Sequence, residues 1–229
     1  NNMKTIQSAL FGVLATFALI TSSNAASLGG VYFEVGSSAV GVELDGNHND
    51  TNGTVSTGQL GKTAVTGSYG LGWMLGKSKK LGVDLGYMFT PGEAKLTTSS
   101  DHAQSAGDVT FAVTDSTEYY IAPMLNITDD ASLYVKFGTN SSDLKVTGDV
   151  TKPTSMDGDT VAVGTVMSWG SNLYIRTEAG MTDYDKLTVT GLGTSCNAAG
   201  NNAGCVATTT KVTASPTVHY GKIAIGYKF

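Results

Sequence analysis

Cysteine and histidine are nearly missing from this chain of 229 residues: it has two of the first and three of the second. Two cysteines cannot make a closed structural zinc set by themselves, and no histidine lies near them in sequence. The histidines are also badly spaced for catalysis. His48 and His102 fall in polar loops and His219 in the last strand, so no Ser/His/Asp or Asp/His constellation can be assembled from spacing. An enzyme is therefore not expected, nor is a cofactor or a metal. Positive charge is also scarce, with 14 Lys and Arg against 19 Asp and Glu, a net charge of −5 and no basic block. That balance excludes nucleic acid as an expected partner.

Long apolar runs are the next absence. The stretch Ala9 to Ile20 is about a dozen residues, short of the roughly 20 that a spanning helix needs, and no later segment approaches that length. With Lys4 before it and Ser23-Asn24-Ala25 after it, the run reads as a signal peptide over residues 1–25, cleaved before Ala26. Asn1 and Asn2 precede the expected initiator Met3 and carry no functional reading. Residues 26–229 are then expected to form one domain. In an exported chain, Cys196 and Cys205 are expected to form a local disulfide within CNAAGNNAGC; a zinc pair, the rival reading, would need further ligands.

What the sequence does have is alternation. Period-two segments run near Gly30 to Leu44, Ala64 to Gly76, Leu81 to Thr97, Val109 to Ile127, Leu133 to Val146, Thr160 to Trp169, Leu173 to Val189 and Val206 to Phe229. Glycine is abundant, proline is scarce, and helical periodicity is absent from this stretch, which predicts an all-β domain. The connections alternate in length. Short turns fall at Lys77 to Lys80, Thr128 to Ala131 and Gly170 to Asn172, and long polar loops follow Leu44, Leu96, Gly148 and Val189. Short turns at one end and long loops at the other are the pattern of a transmembrane barrel with an even strand number and both termini in the periplasm.

Each segment has unlike faces. One set is apolar, as in Tyr69, Leu71, Trp73 and Leu75, or Leu81, Val83, Leu85, Tyr87 and Phe89, and suits contact with outer-membrane lipid. Aromatics at Trp73, Phe89, Tyr119, Trp169 and Phe229 fall toward segment ends, where interfacial belts lie. The opposite set carries Glu34, Asp84, Glu118, Lys136, Arg176 and Glu178 among many glycines. In a closed barrel these charges face a narrow lumen and must pair, because an enclosed carboxylate without a partner costs several kcal/mol. A soluble sandwich would put the same residues in water. The alternation slips in the first segment around Ser37-Ser38. Two ligand motifs fail on inspection: LGWMLGKS has three residues where a phosphate loop needs four, and DGNHNDTNG lacks the Gly and Glu of a calcium loop.

Taken with the final strand YGKIAIGYKF, these features resemble the small eight-stranded outer-membrane barrels of the OmpA, OmpX and opacity-protein type, across the whole mature chain. The resemblance implies an antiparallel up-and-down transmembrane β-barrel in the bacterial outer membrane, without a periplasmic peptidoglycan-binding domain. It implies that Tyr227 and Phe229 are read by the outer-membrane insertion machinery. It further implies that an interior cluster, here Glu34, Glu118, Lys136, Arg176 and Glu178, blocks or gates a narrow passage. A non-enzymatic barrel displaying four polar loops, with an extracellular partner for those loops, is the first functional expectation. A narrow porin-like channel is the alternative, and a soluble lipocalin-like binder, which inverts the faces, is a third.

Overall fold

The computed structural model describes residues 29–49, 55–78, 80–97, 110–147, 150–151, 154–170, 172–195 and 206–229. The proposed signal peptide, the cysteine pair and His102 lie outside them. Among the described residues there are ten strands: β1 (Gly30–Asn49), β2 (Val55–Ser78), β3 (Leu81–Thr97), β4 (Thr110–Asn126), β5 (Ala131–Thr147), β6 (Val150–Thr151), β7 (Ser155–Trp169), β8 (Leu173–Tyr184), β9 (Leu187–Ser195) and β10 (Val206–Lys228). Eight of them, β1-β2-β3-β4-β5-β7-β8-β10, pair antiparallel in chain order, and β1 pairs β10 to close the ring. Closure leaves no free edge at membrane depth, so the backbone satisfies itself without water. The fold is an all-β, up-and-down, eight-stranded barrel. Both β8 and β9 pair with β10, so β9 continues the line of β8 past Asp185-Lys186, and β6 adds two residues beside β9.

Alternation decides which side chain goes where. From Tyr32 to Val42 the even-numbered residues of β1 turn inward, with Tyr32, Glu34, Ser38 and Val42 buried. The expected slip at Ser37-Ser38 does not occur: β1 keeps unbroken register with β2 and with β10, and hydrogen bonding to two neighbours fixes parity even where side chains are small. Outside, Val31, Phe33, Leu71, Trp73, Leu85, Leu133, Val163, Met167 and Ile223 are exposed, an inverted pattern that only a lipid solvent explains. The belt residues Trp73, Tyr119, Trp169 and Phe229 all stand on this outer wall.

The strands run farther than the sequence pattern indicates. The stretch after Leu44 was expected to be loop, but the β1–β2 ladder continues to Asn49↔Val55. Likewise β7 begins at Ser155, inside the segment expected to be loop, and β9 reaches Ser195. Polar strands lose no stability by leaving the bilayer, so hydropathy does not mark their ends.

The apolar belt stops at a rung of acids. Glu43 faces Thr217, which faces Asp183, which faces Asp159, across four adjoining strands. Two carboxylates directly opposite repel each other, so this rung sits in water above the belt.

Candidate functional site in the barrel lumen

In the middle of the barrel the inward positions set large polar side chains on one strand opposite glycine or alanine on the next, as at Asp84 and Ala122, Lys136 and Ala162, and Arg176 and Ala224. Tyr32 lies opposite Gly72, Tyr120 opposite Gly86, Tyr134 opposite Gly164, Tyr174 opposite Gly226 and Tyr220 opposite Gly180. At each of these glycines an added Cβ would run into the facing tyrosine. Eight strands enclose just enough room for side chains, so a ring lying flat on the neighbouring strand requires that no side chain stand there.

These rings surround two layers of charge. In the lower layer the Arg176 guanidinium bonds Asp84 Oδ2 through Nη2 at 2.7 Å and meets Glu34 Oε2 through Nε at 3.0 Å. Lys222 Nζ reaches the other oxygen of Glu34 at 3.0 Å. Tyr174 donates its hydroxyl to Glu34 at 3.0 Å, and Tyr32 donates to Asp84 Oδ1 at 2.9 Å. Arg176 also donates to the Tyr120 hydroxyl at 3.2 Å and lies over the Tyr32 and Tyr134 rings, both 5.3 Å away. In the upper layer Lys136 Nζ joins Glu178 at 2.6 Å and Glu118 at 3.0 Å. Tyr134 and Tyr220 donate to Glu178 at 2.6 and 2.7 Å.

All six residues that alternation singles out are enclosed here, and the fold brings them into two touching groups: Glu34, Asp84 and Arg176 below, Glu118, Lys136 and Glu178 above. Arg176 is fully buried; charges this dry persist only where partners are fixed in place. Sequence reasoning passed over Lys222 and all five tyrosines. Their signal was present, since each holds an inward parity, but lysine and tyrosine also read as interface residues, and only the closed lumen shows which is meant.

Three further layers complete the filling. Above the charges, the Asn140 side-chain oxygen accepts from Tyr184, Ser142 and Ser116 at 2.8 to 3.0 Å. Higher still, buried Leu144 and Met156 pack with Val113, Tyr184 and Leu187. Below, Met74, Met124, Ala122 and Val166 pack around Tyr32 and Tyr174. Among the described residues no set of His, Cys, Asp and Glu is arranged to hold a metal ion. Tyr227 and Phe229, the two residues expected to be read during insertion, stand outside the barrel with ring centroids 5.2 Å apart. His219 is exposed on the outer wall.

No protein-family model and no curated protein matches this chain. Solved structures do. The outer-membrane protein AlkL, determined in lipid bilayers, is 17% identical with a TM-score of 0.50, the match covering 91% of this chain and 95% of AlkL. OprG from Pseudomonas aeruginosa is 14% identical over 88% of this chain and 96% of its own, with a TM-score of 0.46. Ail of Yersinia pestis, solved with the heparin analogue sucrose octasulfate, is 14% identical over 85% and 99%, with a TM-score of 0.41. At this identity the likeness is one of fold, and the fold is that of the small outer-membrane β-barrels.

Proposed function

We propose that this chain is a non-enzymatic protein of the bacterial outer membrane, in which a plugged barrel holds a polar mouth outside the cell for contact with other molecules. The observation that carries this reading is the filled lumen: two ion-paired layers, five ring-over-glycine contacts and apolar packing above and below. A lumen so filled supports a scaffold in preference to a conduit. The apolar exterior and charged interior are the reverse of what a lipocalin-like binder needs.

The channel reading keeps one observation in its favour. Four buried cations, Lys136, Arg176, Lys222 and Lys228, meet four buried carboxylates, Glu34, Asp84, Glu118 and Glu178, so a path opened through the lumen would be lined by charges of both signs that small ions could follow. Single-channel recording of the purified chain in planar bilayers separates the two. Stable insertion without current is the expected result. A steady current in the unaltered protein would replace the scaffold with the channel.

The outward pair Tyr227 and Phe229 supports reading of β10 by the insertion machinery, as an exposed aromatic strand end that lipid alone does not require. Phe229→Ala is expected to slow assembly into vesicles carrying that machinery while leaving spontaneous folding into bare short-chain lipid unchanged. Both are followed by the shift of heated against unheated protein on a gel. Equal slowing in the two systems would reduce Phe229 to an ordinary belt residue.

A further inference from the structure

The two strands that close the ring are also the two farthest apart in the chain. The seam sets β1 against β10, and the contact of Lys222 with Glu34 across it joins residues 188 apart. Contacts over such separations form late, because a long loop has to be ordered before they stabilise anything. So β10 needs its shape before β1 reaches it. At the base of the barrel the ladder between β8 and β10 ends at Tyr227↔Leu173, and Asn172 takes over one step beyond. Its backbone carbonyl accepts the Lys228 N–H at 2.8 Å, and its side-chain amide donates to the Lys228 carbonyl at 2.8 Å. This is the two-way exchange of a hydrogen-bonded strand pair, with a side chain supplying the second donor. It holds Lys228 where strand ends otherwise fray. Asn172 and Lys228 are 56 residues apart, so loop length places this contact before the seam.

The other side of the same strand end belongs to β1. Phe229 donates its N–H to the Val31 carbonyl at 2.9 Å, and Tyr32 faces Lys228. Gly30 lets β1 begin this close: its φ is 133°, and a Cβ there would stand 2.9 Å from the Phe229 carbonyl oxygen. Two residues above Tyr32, Glu34 faces Gly226 and meets Arg176 and Lys222. A seam that starts at this end therefore assembles the lower charge layer first. Register matters here, because a slip of one residue would turn the buried Lys222 and Lys228 out to lipid.

We propose that Asn172 is a positioning residue for ring closure: it latches the end of β10 in strand form before β1 arrives, so that the seam starts at its base and zips toward the mouth. The latch acts during closure, whatever the finished barrel then conducts or contacts. A current in planar bilayers leaves it intact, and its failure leaves the scaffold reading standing.

The test is kinetic, in short-chain lipid vesicles over a range of urea, with closed barrel read as the shift of unheated against heated protein on a gel. Asn172→Ala removes one hydrogen bond and is expected to slow closure about fivefold. The rate of unfolding should stay unchanged, since a contact already made in the transition state acts on the folding limb. Asn172→Asp, the same shape without the donor, should slow closure likewise. Gly30→Ala, on the β1 side of the same end, should slow it for an independent reason, by crowding Phe229 and straining φ. Val42→Ala, whose buried side chain lies far up the seam opposite Val218, should instead speed unfolding and leave closure alone. The proposal is overturned if the Asn172 variants speed unfolding with closure unchanged, which would make the bond one more contact of the finished wall. Unchanged rates in both variants overturn it as well, by leaving β1 alone to hold Lys228. So does a Val42→Ala barrel that closes as slowly as Gly30→Ala, because the seam would then start elsewhere.

Discussion

Arg176→Met should lower the folding stability of the barrel by about 3–5 kcal/mol, the usual cost of removing one partner from a buried ion pair. Arg176 is the sole ion-pair partner found for Asp84 among the described residues, whereas Glu34 keeps Lys222. With the guanidinium gone, Asp84 retains the hydroxyls of Tyr32 at 2.9 Å and Tyr120 at 3.4 Å, which donate hydrogen bonds but no charge. The loss is read as a shift in the urea midpoint in lipid vesicles, followed by the fluorescence of Trp73 and Trp169, which both face lipid. Two companions assign the cause. Adding Asp84→Asn to Arg176→Met removes the stranded charge and should recover part of the loss. Arg176→Lys keeps the charge but not the fork that spans Asp84 and Glu34, and should fall between the two. An unchanged midpoint in Arg176→Met would mean that water enters the layer and solvates Asp84. The lumen would then be open enough to conduct.

The second large effect comes from a glycine. In Gly226→Val, the new side chain occupies the space of the Tyr174 ring, which lies directly on Gly226 and holds Glu34 through its hydroxyl at 3.0 Å. Overpacking costs about 1–3 kcal/mol where neighbours can shift. Here the neighbour is pinned by a hydrogen bond and by an edge-on contact with Tyr32 at 5.6 Å, so the upper end is expected. The same change at Gly221, on the same strand but facing outward with nothing near it, should move stability by no more than about 0.5 kcal/mol. In the Gly226→Val background, Tyr174→Ala should cost less than it does alone, because it also relieves the overlap. Equal costs for Gly226→Val and Gly221→Val would show that Tyr174 does not rest on β10.

The lumen charges were legible because parity is local. Each of Glu34, Asp84, Glu118, Lys136, Arg176 and Glu178 stands on the face opposite a set that within the belt carries no charge and is mostly apolar, and the pleat turns such sets apart. Which charges meet was not legible. Lys222 is 188 residues from Glu34 along the chain, and their contact needs β10 to return beside β1. The tyrosines were hidden for a related reason. Tyr119 and Tyr120 are adjacent and chemically identical, yet one joins the outer aromatics and the other the core. The loop boundaries failed where the chain leaves lipid, because the apolar face that marks a strand ends before the hydrogen bonds do.

Composition and period determined that this chain is all-β, that its strands have a lipid-type face and a charged face, and that an even number of them closes into a barrel. These follow from each residue and its neighbours two places away. Tertiary structure alone decided that every ring has its glycine, that Arg176 and Lys136 anchor separate layers, and that Asn172 meets Lys228 at the base of the seam. Those depend on cross-strand register and shear, which set who faces whom only after the ring has closed.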